Sequence, residues 1–330
     1  MKFYLSIVLL ALSGMFISCK DDIEGQDTVR SQVPISFVLE DYSATRSSSL
    51  SAISEFTVYA FDSDGKVFIN GAQFYADGKS KNGKNYYWPT SGNLTFYAFT
   101  PTENANFSVN DNVLSYTVPT DNSAQIDLMT AKAENQTMST NGGVVKLSFA
   151  HVLSKVSFKG YTSISGLTAE IESITLHNVN SVMATGLDGT AATVPSPLYA
   201  NYGLGMSQTK TVTSADASKA DNLTADDGAM MLVPQTLTPW SGNTTTAAAD
   251  AASQSYLEVS CKIKMGSHYF VGSSTEFGKS YIPMSSTFEA GKSYVFNLCF
   301  DGPIIKIGIV STVPEQSEAK KFTHVSCINM

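Results

Sequence analysis

The sequence has little charge and few long amphipathic runs. Charged residues make up only 15% of the 330 positions, and the formal net charge is −8. Such a chain lacks the basic surface that nucleic-acid partners require. Glutamate and leucine are also scarce, whereas Ser, Thr, Asn, Gly and aromatic residues are plentiful. This balance indicates a β-rich, solvated protein.

Catalytic and metal-binding motifs are missing as well. The four histidines are scattered, without HExxH or another paired spacing for zinc, and there is no G-x-S-x-G turn. Residues 78–84 have the spacing of a phosphate-binding loop. However, Asn85 replaces the Ser or Thr that would bind Mg²⁺, and a strand pattern follows instead of a helix. We therefore expect no enzymatic activity, no metal and no cofactor, and we interpret this stretch as a Lys-rich hairpin loop.

Cysteine is rare, with four residues in the chain. In alternating strand patterns, Cys261 falls on the apolar face, whereas Cys299 falls on the face opposite its apolar neighbours. A disulfide between them is therefore not expected, and buried thiols are predicted for both. The sequence leaves Cys327 unassigned.

The N-terminus has the pattern of a lipoprotein signal. The apolar run at residues 3–17 has the length of a signal-peptide core rather than of a membrane span. Residues 16–19 resemble a lipobox, which predicts lipidation of Cys19; an ordinary secretion signal with an incidental cysteine is the alternative. Residues 20–22, Lys-Asp-Asp, are similar to the export signal of Bacteroidetes surface lipoproteins, although any polar tether could begin this way.

The segments that follow divide into a tether and two strand-rich halves. We predict a signal peptide at 1–18 and a flexible tether at 19–31. Short strand patterns separated by turn residues fill the rest of the chain, and Asn-Gly-Gly at 141–143 is the strongest break. This spacing predicts an all-β fold with one β-sandwich at 32–142 and another at 143–330.

The first strand pattern, at residues 33–40, alternates strictly. Val33, Ile35, Phe37 and Leu39 share one face. An alternating strand of this kind is expected to place that face in the core.

Several stretches together resemble the fimbrillins of Bacteroidales, the subunits of type V pili. The resemblance covers about residues 1–300 and is carried by the lipobox and by stretches in this order: 45–46, 56–61, 86–99, 147–158, 232–235 and 288–298. It implies two transthyretin-like β-sandwich domains in tandem, export as a lipoprotein, and other fimbrillin subunits as partners. It also implies that a trypsin-like protease cuts after a basic residue behind the first strand.

The distribution of arginine agrees with that implication. Of 21 basic residues, only Arg30 and Arg46 are arginines. Arg46 lies in a small, polar stretch of the kind that proteases cut. Because a cut after Arg30 would precede the first strand and remove nothing structural, Arg46 is the predicted site.

Cleavage after Arg46 would release the strand at 33–40, and an incoming strand would restore the ladder and fill the vacated pockets. A candidate donor near residues 303–310 alternates Ile305, Ile307 and Ile309. The alternative is that this segment is the last strand of its own sandwich, because periodicity cannot separate the two.

Two function classes follow. The first is a structural subunit of cell-surface fimbriae that is delivered to the outer membrane as a lipoprotein. The second is a tip or accessory adhesin, or a free surface lipoprotein. Such a protein would bind a glycan or a host protein through loops such as 79–85 and 236–252.

Overall fold

The computed structural model describes residues 30–40, 53–187, 196–225, 228–242 and 253–313, and its regular structure is almost entirely β-strand. The strands of the first half are β1 (Arg30–Pro34), β2 (Ser36–Glu40), β3 (Glu55–Asp62), β4 (Val67–Tyr75), β5 (Tyr87–Pro89), β6 (Leu94–Thr100), β7 (Phe107–Asn110), β8 (Val113–Thr117), β9 (Met129–Gln136), β10 (Val144–Ser148) and β11 (Ala150–His151). Short 3-10 helices occupy Asn122–Ala124, Thr140–Gly143 and Ala217–Lys219. Among all the residues that the structure describes, no helix is long and apolar enough to cross a membrane.

The second half continues with strands of more varied length. They are β12 (Ser154–Thr162), β13 (Leu167–Asn180), β14 (Val182–Gly186), β15 (Tyr199–Gly203), β16 (Lys210–Val212), β17 (Asp221–Asn222), β18 (Met230–Leu232), β19 (Gln235–Thr236), β20 (Thr238–Pro239), β21 (Gln254–Met265), β22 (His268–Val271), β23 (Gly278–Pro283), β24 (Thr287–Phe288), β25 (Ser293–Asp301) and β26 (Ile304–Val313).

The N-terminal sandwich is built on an antiparallel sheet with the strand order β11-β9-β6-β3-β4. The opposing layer consists of two pairs, β1 with β5 and β2 with β10. Between the layers lies a core rich in aromatic side chains, which includes Phe56, Phe74, Trp88 and Phe96.

The sheet is buried on both faces, which explains why its central strands are nearly continuous apolar runs. In β6, Phe96 faces the N-terminal core, whereas its neighbours Tyr97 and Phe99 pack into the core of the second half. In β3, Val58 and Phe61 divide between the two cores in the same way. A strand covered on both sides has no polar face to alternate with.

The C-terminal sandwich packs two further sheets around the larger core. One has the order β17-β12-β25-β26, with β18 also paired to β12, and β12 runs parallel to β25. The other is centred on β13 and β21, with β15 and β16 on one side and β22 and β23 on the other. The prediction of an all-β fold built from β-sandwiches is therefore confirmed.

Residues on either side of the predicted boundary between 142 and 143 pack into both cores. Beyond it, Val145 and Leu147 of β10 belong to the N-terminal core. Before it, β8 pairs with β14 and places Tyr116 in the C-terminal core. Gly142 and Gly143 have φ values of 70° and 85° and form the turn between β9 and β10. Such glycines serve a tight turn as readily as a linker.

Cys261 and Cys299 lie in different sheets of the C-terminal sandwich. Cys261 is on β21 and Cys299 on β25; both are buried, and they do not form a disulfide with each other. Burial raises the pKa of the Cys261 thiol to about 12, so this side chain is an unreactive apolar group at neutral pH. Cys327 lies outside the described residues.

His177 lies on the outer face of the β13–β21 sheet. Its ring stacks on Tyr256 with centroids 4.4 Å apart. Its Nε2 is buried without a hydrogen-bond partner among the described residues, and the Glu258 carboxylate, which also pairs with Lys279, is 3.7 Å away. Burial outweighs the attraction of Glu258 and lowers the pKa of His177 below 6.5.

This environment predicts a loss of stability in acid. The unfolded chain binds the His177 proton more tightly than the folded chain, so the free energy of unfolding should fall as the pH drops below about 6.5. The His177→Phe variant keeps the stack on Tyr256 and should lose part of that pH dependence in urea unfolding measured between pH 7 and pH 5. The matched control is His268→Phe, an exposed histidine. An equal effect of both variants would contradict the prediction.

Candidate strand-exchange site

The segment at residues 30–40 joins the N-terminal sandwich through two different partners. Its first half, β1, pairs antiparallel with β5. Its second half, β2, pairs parallel with β10 over five positions, from Ser36 opposite Val144 to Glu40 opposite Ser148. Between the two halves, the Ile35 N–H donates a hydrogen bond of 2.7 Å to the Tyr86 carbonyl. The segment therefore supplies main-chain hydrogen bonds along its whole length.

Phe37 anchors this segment in the core. Its ring contacts Phe74, Phe96 and Phe56, with centroids 4.8, 5.7 and 5.9 Å away, all near edge-to-face. Ile35 is buried beside it, and Leu39 packs on the rim of the same core. We call the cage of Phe56, Phe74 and Phe96 the aromatic pocket.

Val33 departs from the predicted row of core residues. It shares the sequence parity of Ile35 and Phe37, yet its side chain is 39% exposed. The reason is the change of partner at Pro34, where the register of β1 shifts and proline cannot donate to the ladder. The alternation therefore does not continue through Pro34, and Val33 lies on the turn at Gly143 instead.

A glycine turn closes over the middle of the segment. Gly78 has φ of +81°, and a Cβ at this position would lie 2.6 Å from the Phe37 carbonyl oxygen. Only glycine permits both this conformation and this approach. The turn after β4 thus holds the main chain of Phe37 against the aromatic pocket.

β10 depends on the segment for its ladder. Among the strands that the structure describes, β2 is the one that pairs with β10. If residues 30–40 left, β10 would lose its strand partner and the aromatic pocket would lose its occupant. An edge of this kind readily accepts another strand.

The other predicted site residues are placed as follows. Arg30 begins β1, whereas Cys19 and Arg46 lie outside the described residues. Ile305, Ile307 and Ile309 are on β26, which pairs antiparallel with β25 from Ile304 to Val313. The structure thus shows this segment as the edge strand of its own sandwich.

Sequence reasoning missed the other half of the site. The aromatic pocket, the Gly78 turn and the parallel partner β10 come from parts of the chain that no local pattern connects with residues 30–40. The one available signal was the unusual number of phenylalanines in β3, β4 and β6. No group of three or more His, Cys, Asp or Glu side chains suited to a metal ion occurs in the described ranges.

Two solved structures were compared with this chain. A crystal structure of a fimbrial protein from Bacteroides vulgatus superposes with a TM-score of 0.61 at 17% identity, covering 84% of this chain and 97% of that one. A fimbrial assembly protein from Parabacteroides distasonis gives a TM-score of 0.42 at 14% identity, with 83% and 94% covered. A search of curated proteins found no match.

The family comparison covers most of the chain. The profile of the fimbrillin-like family matches residues 44–314, which include both sandwiches except the strands β1 and β2. The resemblance recognised in the sequence is confirmed: this chain belongs to the fimbrillin-like family.

Proposed function

We propose that this chain is a structural subunit of cell-surface fimbriae that is exported as a lipoprotein, cut after Arg46 and polymerised by strand exchange. Membership of the fimbrillin-like family supports a fimbrial subunit with other fimbrillins as partners. The finer steps rest on the segment at residues 30–40, which is the single observation that carries the proposal.

A cut after Arg46 would separate this segment from the rest of the sandwich. The segment then has only its side chains and its hydrogen bonds to hold it, and it can dissociate. Burying a side chain such as Ile35 or Phe37 is worth about 1.5–3 kcal/mol, so the emptied groove is strongly unfavourable. An apolar strand from a neighbouring subunit would replace both the ladder on β10 and the occupant of the aromatic pocket. Because this contact joins two different surfaces, repeated contacts produce an open filament.

The lipid on Cys19 would serve delivery rather than permanent attachment. Each buried CH₂ of an acyl chain contributes about 0.8 kcal/mol, so a multiply acylated Cys19 holds the uncut protein on the outer membrane. A cut after Arg46 removes Cys19 together with residues 30–40. Only an uncut subunit then stays tethered.

A second candidate, a tip or accessory subunit, is favoured by the pairing of β26. Transfer of Ile305, Ile307 and Ile309 to a neighbour requires β26 to leave β25. A subunit that keeps β26 in its own sheet would accept a strand without donating this one, and would lie at an end of the filament.

An arginine-specific, trypsin-like protease tests the main proposal, because the chain offers it only two sites. We expect the cut wild-type protein to form a ladder of SDS-resistant oligomers. Arg46→Ala should remain monomeric. Arg30→Ala is the matched control and should assemble as the wild type does. A ladder formed by Arg46→Ala would overturn the proposed cleavage site.

The same cleavage experiment also tests whether Cys19 carries a lipid and whether that lipid leaves with the N-terminal fragment. Cells grown with labelled palmitate should label the uncut protein, and the label should leave with the N-terminal fragment after cleavage. Cys19→Ala should carry no label. Label that remains on the assembled subunits would contradict a temporary anchor.

A further inference from the structure

The Lys-rich loop at residues 79–85 is fixed against the edge strand β4. The Tyr75 N–H donates to the Lys79 carbonyl, and the Lys81 N–H donates to the Gln73 carbonyl, both at 2.9 Å. Within the loop, the Asn82 Oδ1 accepts the Ser80 hydroxyl at 2.6 Å and the Lys84 N–H at 2.9 Å. These bonds use the acceptor of the Asn82 amide and leave its NH₂ group as a donor.

A bulge shapes the opposite wall. Ile69 pairs with Ala60 and Ala72 with Val58, so Asn70 and Gly71 together oppose one residue, Tyr59. Gly71 has φ of +63°, and a Cβ there would lie 2.9 Å from the Tyr59 hydroxyl oxygen. Bulges of this kind redirect a side chain and interrupt the strand edge.

Between the loop and the bulge lies an open depression of about 450 Å³. Its side chains are amides, ammonium groups and one aromatic ring: Asn70, Gln73, Lys81, Asn82, Lys84 and Tyr86. None of the lining residues is acidic. The volume lies within the range of small-molecule sites, about 300–1,000 Å³.

The electrostatics of the depression differ from those of the whole chain. Lys81 is neutralised by Glu55 at 2.7 Å. The Lys84 ammonium lies 5.2 Å from the centre of the Tyr86 ring, and no carboxylate lies within 4 Å of it among the residues the structure describes. Two carboxylates contact the lining from outside the depression: Glu55 pairs with Lys81, and Glu103 accepts a hydrogen bond of 3.4 Å from the Gln73 side-chain amide. Lys84 is the lining cation without a carboxylate partner in the described part of the chain, so an anionic ligand group is favoured at its end of the depression.

We propose that this depression binds a carboxylate-bearing saccharide, such as a sialic or uronic acid unit of a glycan. Lys84 pairs with the carboxylate, the amides of Asn70 and Asn82 hydrogen-bond to hydroxyl groups, and Tyr86 provides the apolar wall for the sugar ring.

An acidic peptide fits this site less well. An extended peptide would bind by adding a strand to β4, but residues 79–81 already occupy that edge at Gln73 and Tyr75. The bulge at Asn70 and Gly71 interrupts the remainder of the edge. A ligand recognised through side chains, rather than through a main-chain ladder, is therefore favoured.

The site does not depend on strand exchange, so the uncut full chain is the protein to test. Titrations with sialyllactose and trigalacturonate, followed by calorimetry, should show binding of at least one, whereas neutral lactose should bind much more weakly. Lys84→Ala should weaken that binding about tenfold, as expected for loss of one charge-assisted contact. Lys79→Ala is the matched control: it removes the same charge from the same loop, outside the depression, and should leave binding unchanged.

Asn70→Ala separates a sugar site from a simple positive patch. It removes no charge from an exposed side chain, so the fold should be retained and saccharide binding should fall. Binding of neither acidic saccharide would overturn the proposal. Equal losses in Lys79→Ala and Lys84→Ala, or binding of poly-glutamate as strong as that of the saccharides, would do the same.

Discussion

Replacing Phe37 by alanine is expected to lower the free energy of unfolding of the uncut protein by about 3–5 kcal/mol, the range for removing a buried aromatic ring. The ring is in contact with the aromatic pocket on three sides. The closed Gly78 turn leaves little room for the backbone to relax into the cavity. Residues 30–40 also form the hydrogen-bonded ladder with β10. Weakening the attachment of this segment by Phe37→Ala should therefore loosen the whole opposing layer of the sandwich.

Tryptophan fluorescence measures this effect locally. Trp88 lies in the N-terminal core. The variants are to be made in a background that carries Trp240→Phe, so that Trp88 is the one remaining tryptophan and reports on this core alone. The matched control is Val38→Ala, on the same strand but 48% exposed, which should change stability by no more than about 0.5 kcal/mol. Similar effects of the two variants would show that residues 30–40 do not hold this sandwich together.

Cleavage should abolish the difference between Phe37→Ala and the wild type. After a cut behind Arg46, Phe37 leaves with the fragment, so cut Phe37→Ala should assemble like the cut wild type, and faster if release of the strand limits the rate. A cut variant that fails to assemble would mean that Phe37 remains in the polymer, contrary to strand exchange.

The second large effect concerns β26. Ile305 is 3% exposed and pairs with Phe300 of β25, so Ile305→Ala should lower the free energy of unfolding of the uncut monomer by about 2–5 kcal/mol. Ile309→Ala, on the same strand but 45% exposed, is the control and should have little effect. Urea unfolding followed by circular dichroism measures both.

The result separates the two roles of this strand. If β26 stays in its own sandwich, Ile305→Ala lowers the stability of the monomer. The SDS-resistant oligomers that form after cleavage are then built through another donor strand. If β26 leaves to fill a neighbour's groove, the monomer without β26 must remain folded. Ile305→Ala would then chiefly reduce the SDS resistance of the oligomers. An unchanged monomer would therefore contradict the role that the structure gives to Ile305.

Local patterns determined much of the fold in advance. The alternation at residues 33–40 predicted a strand with Ile35 and Phe37 inward, and both are buried. Alternating strands can be recognised in this way because successive side chains point to opposite faces whatever the partner. The family resemblance, carried by short stretches in a fixed order, was likewise readable from the sequence and is confirmed by the match at residues 44–314.

What the sequence could not determine was which strands lie side by side. The parallel pairing of β2 with β10 joins residues more than a hundred positions apart, and the aromatic pocket gathers Phe56, Phe74 and Phe96 from three separate strands. The Asn-Gly-Gly stretch at residues 141–143 suggested a domain boundary, but no local pattern showed that β10, which follows it, contributes to the N-terminal core. The sequence indicated most of the strands, the inward placement of Ile35 and Phe37, and the family. The tertiary structure alone decided the partners of residues 30–40 and the place of β26, because hydrogen bonding between strands carries no local signature.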